Sequence, residues 1–364
     1  MDKQALEFPR IGVLPSGPLD TICDVGDVTV GHCTLADGPL QTGVTVVRPH
    51  GGDPYLDKVP AAATVLNGFG KSTGLIQVQE LGVLETPIAL TNTFGVGTVA
   101  NAQIRHAVAA NPGIGRGMAT VNPLVFECND GYLNDIQALA VQESHYADAL
   151  AGADKLPAQG AVGAGRGMSC FSFKGGIGSS SRIASIQPGL HYTVGALVLA
   201  NFGRLPNLTV AGRPFGRRLA DRLDRGLALQ GENAAIAPEK GSIILLLATD
   251  APLDSRQLRR LSLRAGAGLA RTGSVFGHGS GDIALAFSTA YTIPQLAEQP
   301  MPALPMLHEA RIDPLFEAAA EACEQAIICA LWHADGLTGR DGHHRASIRL
   351  AAPDWRQWLA DTEF

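Results

Sequence analysis

The chain has 364 residues, 46% of them hydrophobic and 17% charged, and a formal net charge of −6. This composition excludes a disordered chain, and the lack of surplus positive charge argues against a nucleic-acid partner. Its 43 glycines exceed the roughly 7% of an average protein, follow no collagen period and sit inside apolar runs, as tight turns and close backbone approaches require. The length suits one large domain or about two.

The N-terminal stretch MDKQALEFPRIG mixes acids, bases and a proline with no apolar core, so it does not read as a secretory signal. No run of about 18 uncharged apolar residues is present to span a membrane, and a cytoplasmic protein is expected. Short apolar runs predict strands at 28–31, 44–47 and 87–90. A glycine turn at 94–97 opens a predicted helix over 98–109. Further strands are predicted at 194–200, at Ser242–Thr249 and at 283–290. Residues 204–241 differ from both flanks, with a helix-like patch over 217–229 and a polar, loop-like stretch over 230–241. A helix is predicted over Ser255–Arg271, where Leu258, Leu261, Ala265 and Leu269 recur at helical steps. Arg256, Arg259, Arg260 and Arg264 fall on its other side as a solvated face. The last long helix takes Asp313 as N-cap and Pro314 in its first turn, repeats Leu315, Phe316, Ala319, Cys323, Ile327 and Leu331, and stops before Gly336. The alternation of strands and helices places the chain in the α/β class.

Several features resemble functional motifs without meeting their requirements. Cys23, Cys33, Cys128, Cys170, Cys323 and Cys329 form no C-x-x-C pair and read as buried free thiols. GFGKST at 68–73 has Val65 where a phosphate loop needs glycine, so it reads as a glycine turn. GAVGAGRG at 160–167 does not fit the dinucleotide spacing. His278 and the adjacent His343 and His344 lack a partnering carboxylate set and read as solvated or core histidines. No metal and no cofactor are expected.

The sharper constellation is Gly241-Ser242 at the mouth of an apolar strand, with GHGSGD at 277–282 opening a second strand. A serine at the first position of a strand is held rigidly, and the preceding glycine permits a strained carbonyl geometry. Attack of the hydroxyl on that carbonyl moves the chain onto oxygen as an ester, which water then cuts. The product carries an N-terminal Ser242, whose α-amine, with a reference pKa of about 7.7–8.0, helps deprotonate its own hydroxyl. Ser280 and Asp282 supply a hydroxyl and a carboxylate from a turn without bulky side chains.

These residues belong to a longer ordered set of motifs. The set runs NGFGKSTG (67–74), TNTFGVGTVA (91–100), ECNDGYLND (127–135), GAGRGM (163–168), FKGGI (173–177) and VLANFG (198–203). It continues with GSIILLLATDAPL (241–253), ARTGS (270–274), GSGD (279–282) and LTGRDG (337–342). Taken together the chain resembles the self-processing β-aminopeptidases and L-aminopeptidase/D-esterases, the DmpA-like peptidases. The resemblance implies an αββα four-layer sandwich, similar to N-terminal-nucleophile hydrolases in its layers but with different strand connectivity. It implies a single-domain precursor cut into a large subunit, 1–241, and a small subunit, 242–364, which stay associated, and a homotetramer of such two-chain units.

Position by position, the resemblance makes Ser242 the catalytic nucleophile and Gly241 the residue before the cut. Ser280 and Asp282 match the assisting pair, with Asp282 where some members carry glutamate, and Ser280 is expected to bond both Ser242 and Asp282. Asn201 matches the side-chain amide that stabilises the oxyanion, and Glu127 the carboxylate that binds the substrate amine. Asn129 stands where some relatives place a tyrosine at the acyl pocket, and oxidation of the neighbouring Cys128 would perturb the site. The implied activity is release of N-terminal residues from short peptides, amino-acid amides or esters, of L-, D- or β-configured units. An acyltransferase of related fold and an unprocessed ligand-binding homologue are the competing readings.

Overall fold

The computed structural model describes residues 7–227 and 241–361. The chain opens with β1 (Thr29–Asp37), β2 (Leu40–Arg48), β3 (Asp57–Gly68), α1 (Leu75–Leu81), β4 (Val83–Leu84), β5 (Ile88–Asn92), α2 (Val96–Ala110), β6 (Val125–Cys128) and α3 (Glu143–Ala151). It continues through β7 (Ser169–Cys170), β8 (Phe173–Lys174), β9 (Gly176–Gln187), β10 (Leu190–Asn201), α4 (Phe215–Leu227), β11 (Ser242–Thr249) and α5 (Ser255–Arg271). The remaining elements are β12 (Gly281–Ser288), β13 (Ile293–Pro294), α6 (Asp313–Trp332), β14 (Leu337–Thr338), β15 (His344–Arg345), α7 (Ile348–Ala351) and α8 (Trp355–Ala360).

The strands form two main sheets. The smaller has the order β1-β2-β5-β6, and the larger β13-β3-β12-β11-β10-β9, with β4 beside β3. Alternation along each strand explains why these sheets stack and acquire helices on both outer faces. Ile244 and Leu246 of β11 join Leu197, Leu199 and Leu285 against Val47, Leu90 and Phe126 of the smaller sheet. The intervening Ile243, Leu245 and Leu247 face the opposite way, onto Leu258, Leu261 and Ala265 of α5 and Ala319, Cys323 and Ala326 of α6. On the far side, Val44, Val46, Ala89 and Val125 pack with Val99 and Ala102 of α2 and Tyr146 and Ala149 of α3. The result is the αββα sandwich. Burial on both faces also explains why β11 reads as an uninterrupted apolar run.

Predicted spans for β11 and α5 coincide with the structure, and the strands predicted at 28–31, 44–47, 87–90, 194–200 and 283–290 lie on β1, β2, β5, β10 and β12. The patch at 217–229 falls on α4 as far as Leu227, whereas its end and the loop expected over 230–240 lie outside the described residues. Asp313 is the first residue of α6 and not its cap; a 3-10 turn over Glu309–Arg311 leads directly into the helix, with Ile312 N–H donating to Glu309 O at 3.3 Å. The helix ends at Trp332, before Gly336, because His333 N–H closes onto Cys329 O at 3.0 Å. The arginine face of α5 is engaged as well as solvated. Arg256 and Arg260 both hold Glu309, and the Arg264 guanidinium stands 3.9 Å from the centre of the Phe316 ring. Among the described residues, no helix is long and apolar enough to cross a membrane.

The contact between α6 and the larger sheet depends on a missing side chain. A Cβ at Gly178 in β9 would lie 1.9 Å from Ala326 O in α6. Gly178→Ala is therefore expected to lower unfolding free energy by about 1–3 kcal/mol, as overpacking does, read as a lower urea midpoint at unchanged slope.

Candidate active site

Strand pairing assembles the site at one end of the larger sheet. Antiparallel β10 and β11 bring Asn201 opposite Ser242. Parallel β11 and β12 set Ile243 beside Asp282, and antiparallel β12 and β3 set Asp282 beside Asn67 and Gly281 beside Gly68. In the smaller sheet, parallel β5 and β6 place Glu127 beside Thr91 at their C-terminal ends.

Ser242 is buried, and its Oγ accepts a hydrogen bond of 3.0 Å from the Gly281 N–H. The hydroxyl of Ser280 donates to Asp282 Oδ1, both side chains being buried. Ser280 thus makes the Asp282 half of its expected pair of bonds, while the described contact of Ser242 Oγ in this turn runs to the Gly281 backbone. The geometry has a simple cause: a Cβ at Gly281 would sit 2.7 Å from Phe69 O, so only glycine lets the turn approach this closely.

Asn201 is oriented from both ends of its amide. Its Oδ1 accepts from Ser169 N–H at 2.8 Å and its Nδ2 donates to Asn129 O at 3.0 Å. One of the two N–H bonds of the amide is thereby used, and the second remains for a ligand. Gly241 has φ +131°, and a Cβ there would lie 2.0 Å from Asn201 O. The residue before Ser242 therefore has to be glycine for two reasons, its dihedral and its proximity to the Asn201 backbone.

Glu127 is 3% exposed. Its Oε1 accepts from Lys71 N–H at 2.8 Å and its Oε2 from the Thr93 hydroxyl. The Lys71 ammonium lies instead 4.4 Å over the Phe69 ring, and among the described residues no cation forms an ion pair with Glu127. A buried carboxylate with two neutral donors and no cation is suited to an incoming ammonium. Cys128 next to it is fully buried and 3.6 Å from Leu199 O. Burial first, then the negative charges of Glu127, Asp282 and Asp130, push its thiol well above the usual range. A Cβ at Gly70 would lie 3.6 Å from Glu127 Oε1 and 3.7 Å from the Cα of Gly281, so Glu127 and the Ser280–Asp282 turn, from opposite sheets, share one neighbourhood.

Asn67 and Lys174 complete the arrangement, and residue-by-residue reading of the sequence did not single them out. Asn67 Nδ2 donates to Gly277 O at 3.0 Å, and Phe69 N–H to Ser280 O at 3.1 Å, so the turn at 68–73 forms a wall of the site. Lys174 is buried, and its Nζ donates to the carbonyls of Gly165, Met168 and Gly175 at 3.0, 2.8 and 2.7 Å. Burial pushes this amine well below the usual lysine value, yet three acceptors match the three N–H bonds that only the ammonium has. It fixes the loop that ends in Ser169. Asn129 has its side chain on Gly131 N–H at 2.9 Å and serves Asn201 through its carbonyl. His343 stacks on Tyr132 with ring centres 4.6 Å apart, and His344 pairs with Thr338. The signal for the missed residues was present only as membership of the motifs NGFGKSTG, TNTFGVGTVA, GAGRGM and FKGGI.

Residues 20–345 match the model of peptidase family S58. The chain is similar to the beta-peptidyl aminopeptidase BapA of Sphingosinicella microcystinivorans, with 40% identity over 342 residues covering 90% of this chain and 85% of that protein. It is similar in structure to the PH0078 protein of Pyrococcus horikoshii OT3, with TM-score 0.89, 46% identity and 99% of each chain covered. It is also similar to the L-aminopeptidase D-Ala-esterase/amidase of Ochrobactrum anthropi, with TM-score 0.85, 32% identity and coverage of 97% of this chain and 98% of that one. That structure is described as a prototype for the serine aminopeptidases and a variant of the Ntn hydrolase fold.

The free thiols are buried except for half-buried Cys33. With Cys128 protonated and enclosed, iodoacetamide is expected to leave it unmodified in the native protein and to alkylate it after denaturation, as peptide mass mapping would show. Rapid native modification of Cys128 would contradict this description of the site.

Proposed function

We propose, because the chain belongs to peptidase family S58 and is a serine-type aminopeptidase, that it is a precursor cut between Gly241 and Ser242 whose new terminus is the nucleophile. The observation that carries this reading is the meeting of Ser242, Asn201 and the Ser280–Asp282 pair at one sheet end, with the cation-free carboxylate of Glu127 facing them from the other sheet. Its substrates are short peptides, amino-acid amides and esters with a free amine, β-aminoacyl ones among them.

In the precursor, Ser242 Oγ attacks the Gly241 carbonyl carbon, the Ser242 nitrogen leaves as an amine, and water hydrolyses the resulting ester. The products are a Gly241 carboxylate and the Ser242 α-amine. In turnover the neutral α-amine takes the hydroxyl proton as Oγ attacks the substrate carbonyl. The second N–H of Asn201 Nδ2 stabilises the developing oxyanion, a role worth about 2.7–4 kcal/mol. The Ser280 hydroxyl, polarised by Asp282, supports the Ser242 side of the proton transfer. The leaving amine departs with a proton, and water attacks the acyl-Ser242 ester to free the acid. Glu127 holds the substrate ammonium throughout, which restricts the enzyme to substrates with an unblocked amino terminus.

In this reading residues 1–241 and 242–364 remain one domain after the cut. β11, the first strand of the second piece, lies between β10 of the first piece and β12 of its own. Separating the pieces would expose the apolar faces of β11 and break its ladder with β10.

Wild-type protein is expected to resolve on a denaturing gel into two chains, whereas Ser242→Ala stays at 38.0 kDa and is inactive. Gly241→Ala is expected to process far more slowly, since its Cβ meets Asn201 O. A wild-type chain that remains intact while hydrolysing aminoacyl p-nitroanilides would refute the proposed activation.

Glu127→Gln removes the charge and keeps the shape. Loss of a charged hydrogen bond of about 1.5–3 kcal/mol is expected to reduce kcat/KM by roughly 10- to 100-fold. N-acetylated substrates should be inert to the wild type. Equal kcat/KM in wild type and variant would remove Glu127 from amine recognition.

A further inference from the structure

The β14–β15 hairpin, with LTGRDG at its turn, has no part in the chemistry above, yet it touches the supports of Asn201 on both sides. One support is Asn129 O, at the start of a tight turn. The hairpin clamps that turn: Arg340 Nε donates to Gly131 O at 2.7 Å, and Arg340 N–H to Leu133 O at 2.8 Å. His343 Nδ1 lies 2.8 Å from Tyr132 O, and the Tyr132 ring is held between the His343 ring and the Arg345 guanidinium, 3.7 Å from its centre. A Cβ at Gly339 would lie 1.9 Å from Leu133 O, so the hairpin fits this turn without room for a side chain. The other support is Ser169 N–H, and Arg345 Nε donates to the Ser169 hydroxyl at 3.2 Å.

We infer that Arg340 and Arg345 are positioning residues that aim the Asn201 amide through the backbones on which it rests, Arg340 through the 129–133 turn and Arg345 through Ser169. The inference rests on Asn201 as the oxyanion donor. An amide held at both ends by backbone points its free N–H where those backbones direct it. Removing Arg340 leaves the Gly131 carbonyl without that donor and loosens the turn whose first carbonyl holds Nδ2. Small misplacements of this kind are costly, because stabilisation of a developing charge depends on a preorganised donor. Substrate ammonium binding at Glu127 involves neither arginine.

A double-mutant cycle on the processed enzyme tests this. Arg340→Met is expected to lower kcat about tenfold with KM changed less than about twofold, and Asn201→Ala to lower kcat by about 10²- to 10³-fold. If Arg340 acts through Asn201, Asn201→Ala/Arg340→Met is no slower than Asn201→Ala alone, and Arg340→Lys recovers part of the loss. The positioning role is overturned if Arg340→Met keeps wild-type kcat while Asn201→Ala loses it, or if the losses multiply in the double variant. Wild-type kcat in Asn201→Ala would instead overturn the oxyanion role of Asn201, and the positioning role with it. Should Arg340→Met fail to fold, as a melting curve would show, Arg345→Met takes its place in the same cycle with the same outcomes.

Discussion

The backbone of Gly241 lies against the carbonyl of Asn201, and the geometry of the site follows from that approach. A Cβ at position 241 would be 2.0 Å from Asn201 O. The contact closes a ladder that runs from Val194 opposite Thr249 to Asn201 opposite Ser242. A slip of one residue along this ladder would exchange the inward and outward sets of β11. Ile244 and Leu246 would turn to the helices, and Ile243, Leu245 and Leu247 to the facing sheet. The two halves of the core thus hold the register, and the register holds the hydroxyl beside the amide. Core packing is in this sense part of the positioning of Ser242.

The second constraint is electrostatic and acts between the sheets. Glu127 and Asp282 are both buried, one on each sheet, and the negative charge of each helps push the Cys128 thiol up. Two carboxylates in a poorly solvated space are expensive unless each is hydrogen-bonded or paired. Asp282 receives the Ser280 hydroxyl, and Glu127 a backbone N–H and the Thr93 hydroxyl. These donors are neutral. In the proposed reading the ammonium of a substrate would bring the missing positive charge, so the desolvation of Glu127, already met in folding, would favour ligands with a free amine. A lysine or arginine paired with Glu127 would have stabilised the empty protein and occupied the place proposed for the substrate amine.

How much of this was legible in the sequence depended on the range of the interaction responsible. β11 and α5 were readable to the residue because their signals are local: an apolar run buried on both faces, and a helical stripe behind the cap that Asp254 and Gln257 make. β9 was missed because its serines and arginine look like surface. They are buried by a remote segment, in which Gly17 N–H donates to Ser181 Oγ at 2.9 Å, Ile22 N–H to Ser179 Oγ at 2.8 Å, and Asp20 pairs with Arg182. Of the site, Gly241-Ser242 and the Ser280–Asp282 turn could be reached by chemical reasoning from neighbouring residues. Asn201 and Glu127 were reached only through resemblance, since their partners lie in segments remote in the chain. Thr93, Lys71 and Ser169 carry no local mark of their roles, because each acts through one hydrogen bond to a distant part of the chain, and Lys174 carries none because its partners are backbone carbonyls that any loop could present. Asp313 illustrates the opposite failure, in which a plausible local cap was superseded by a preceding 3-10 turn.

The distribution of supports around Asn201 bears on how the proposed cut in mid-sheet would leave a working site. Asn201, Ser169 and Asn129 all precede Gly241 in the chain, whereas Arg340, Arg345 and the turn that holds Ser242 follow it. Each side of the proposed scissile bond therefore carries groups that order the other. In the proposed reading the first piece would supply the Asn201 amide and the Glu127 carboxylate, and the second Ser242 and the arginines behind the amide. The proposed cleavage would remove one covalent link from an arrangement already held by a strand ladder, a two-sided core and these cross-contacts. In the proposed reading, Gly241 approaches Asn201 O without a side chain, so its release as a carboxylate would leave β11 in register with β10, and the new amine would arise beside the hydroxyl it serves.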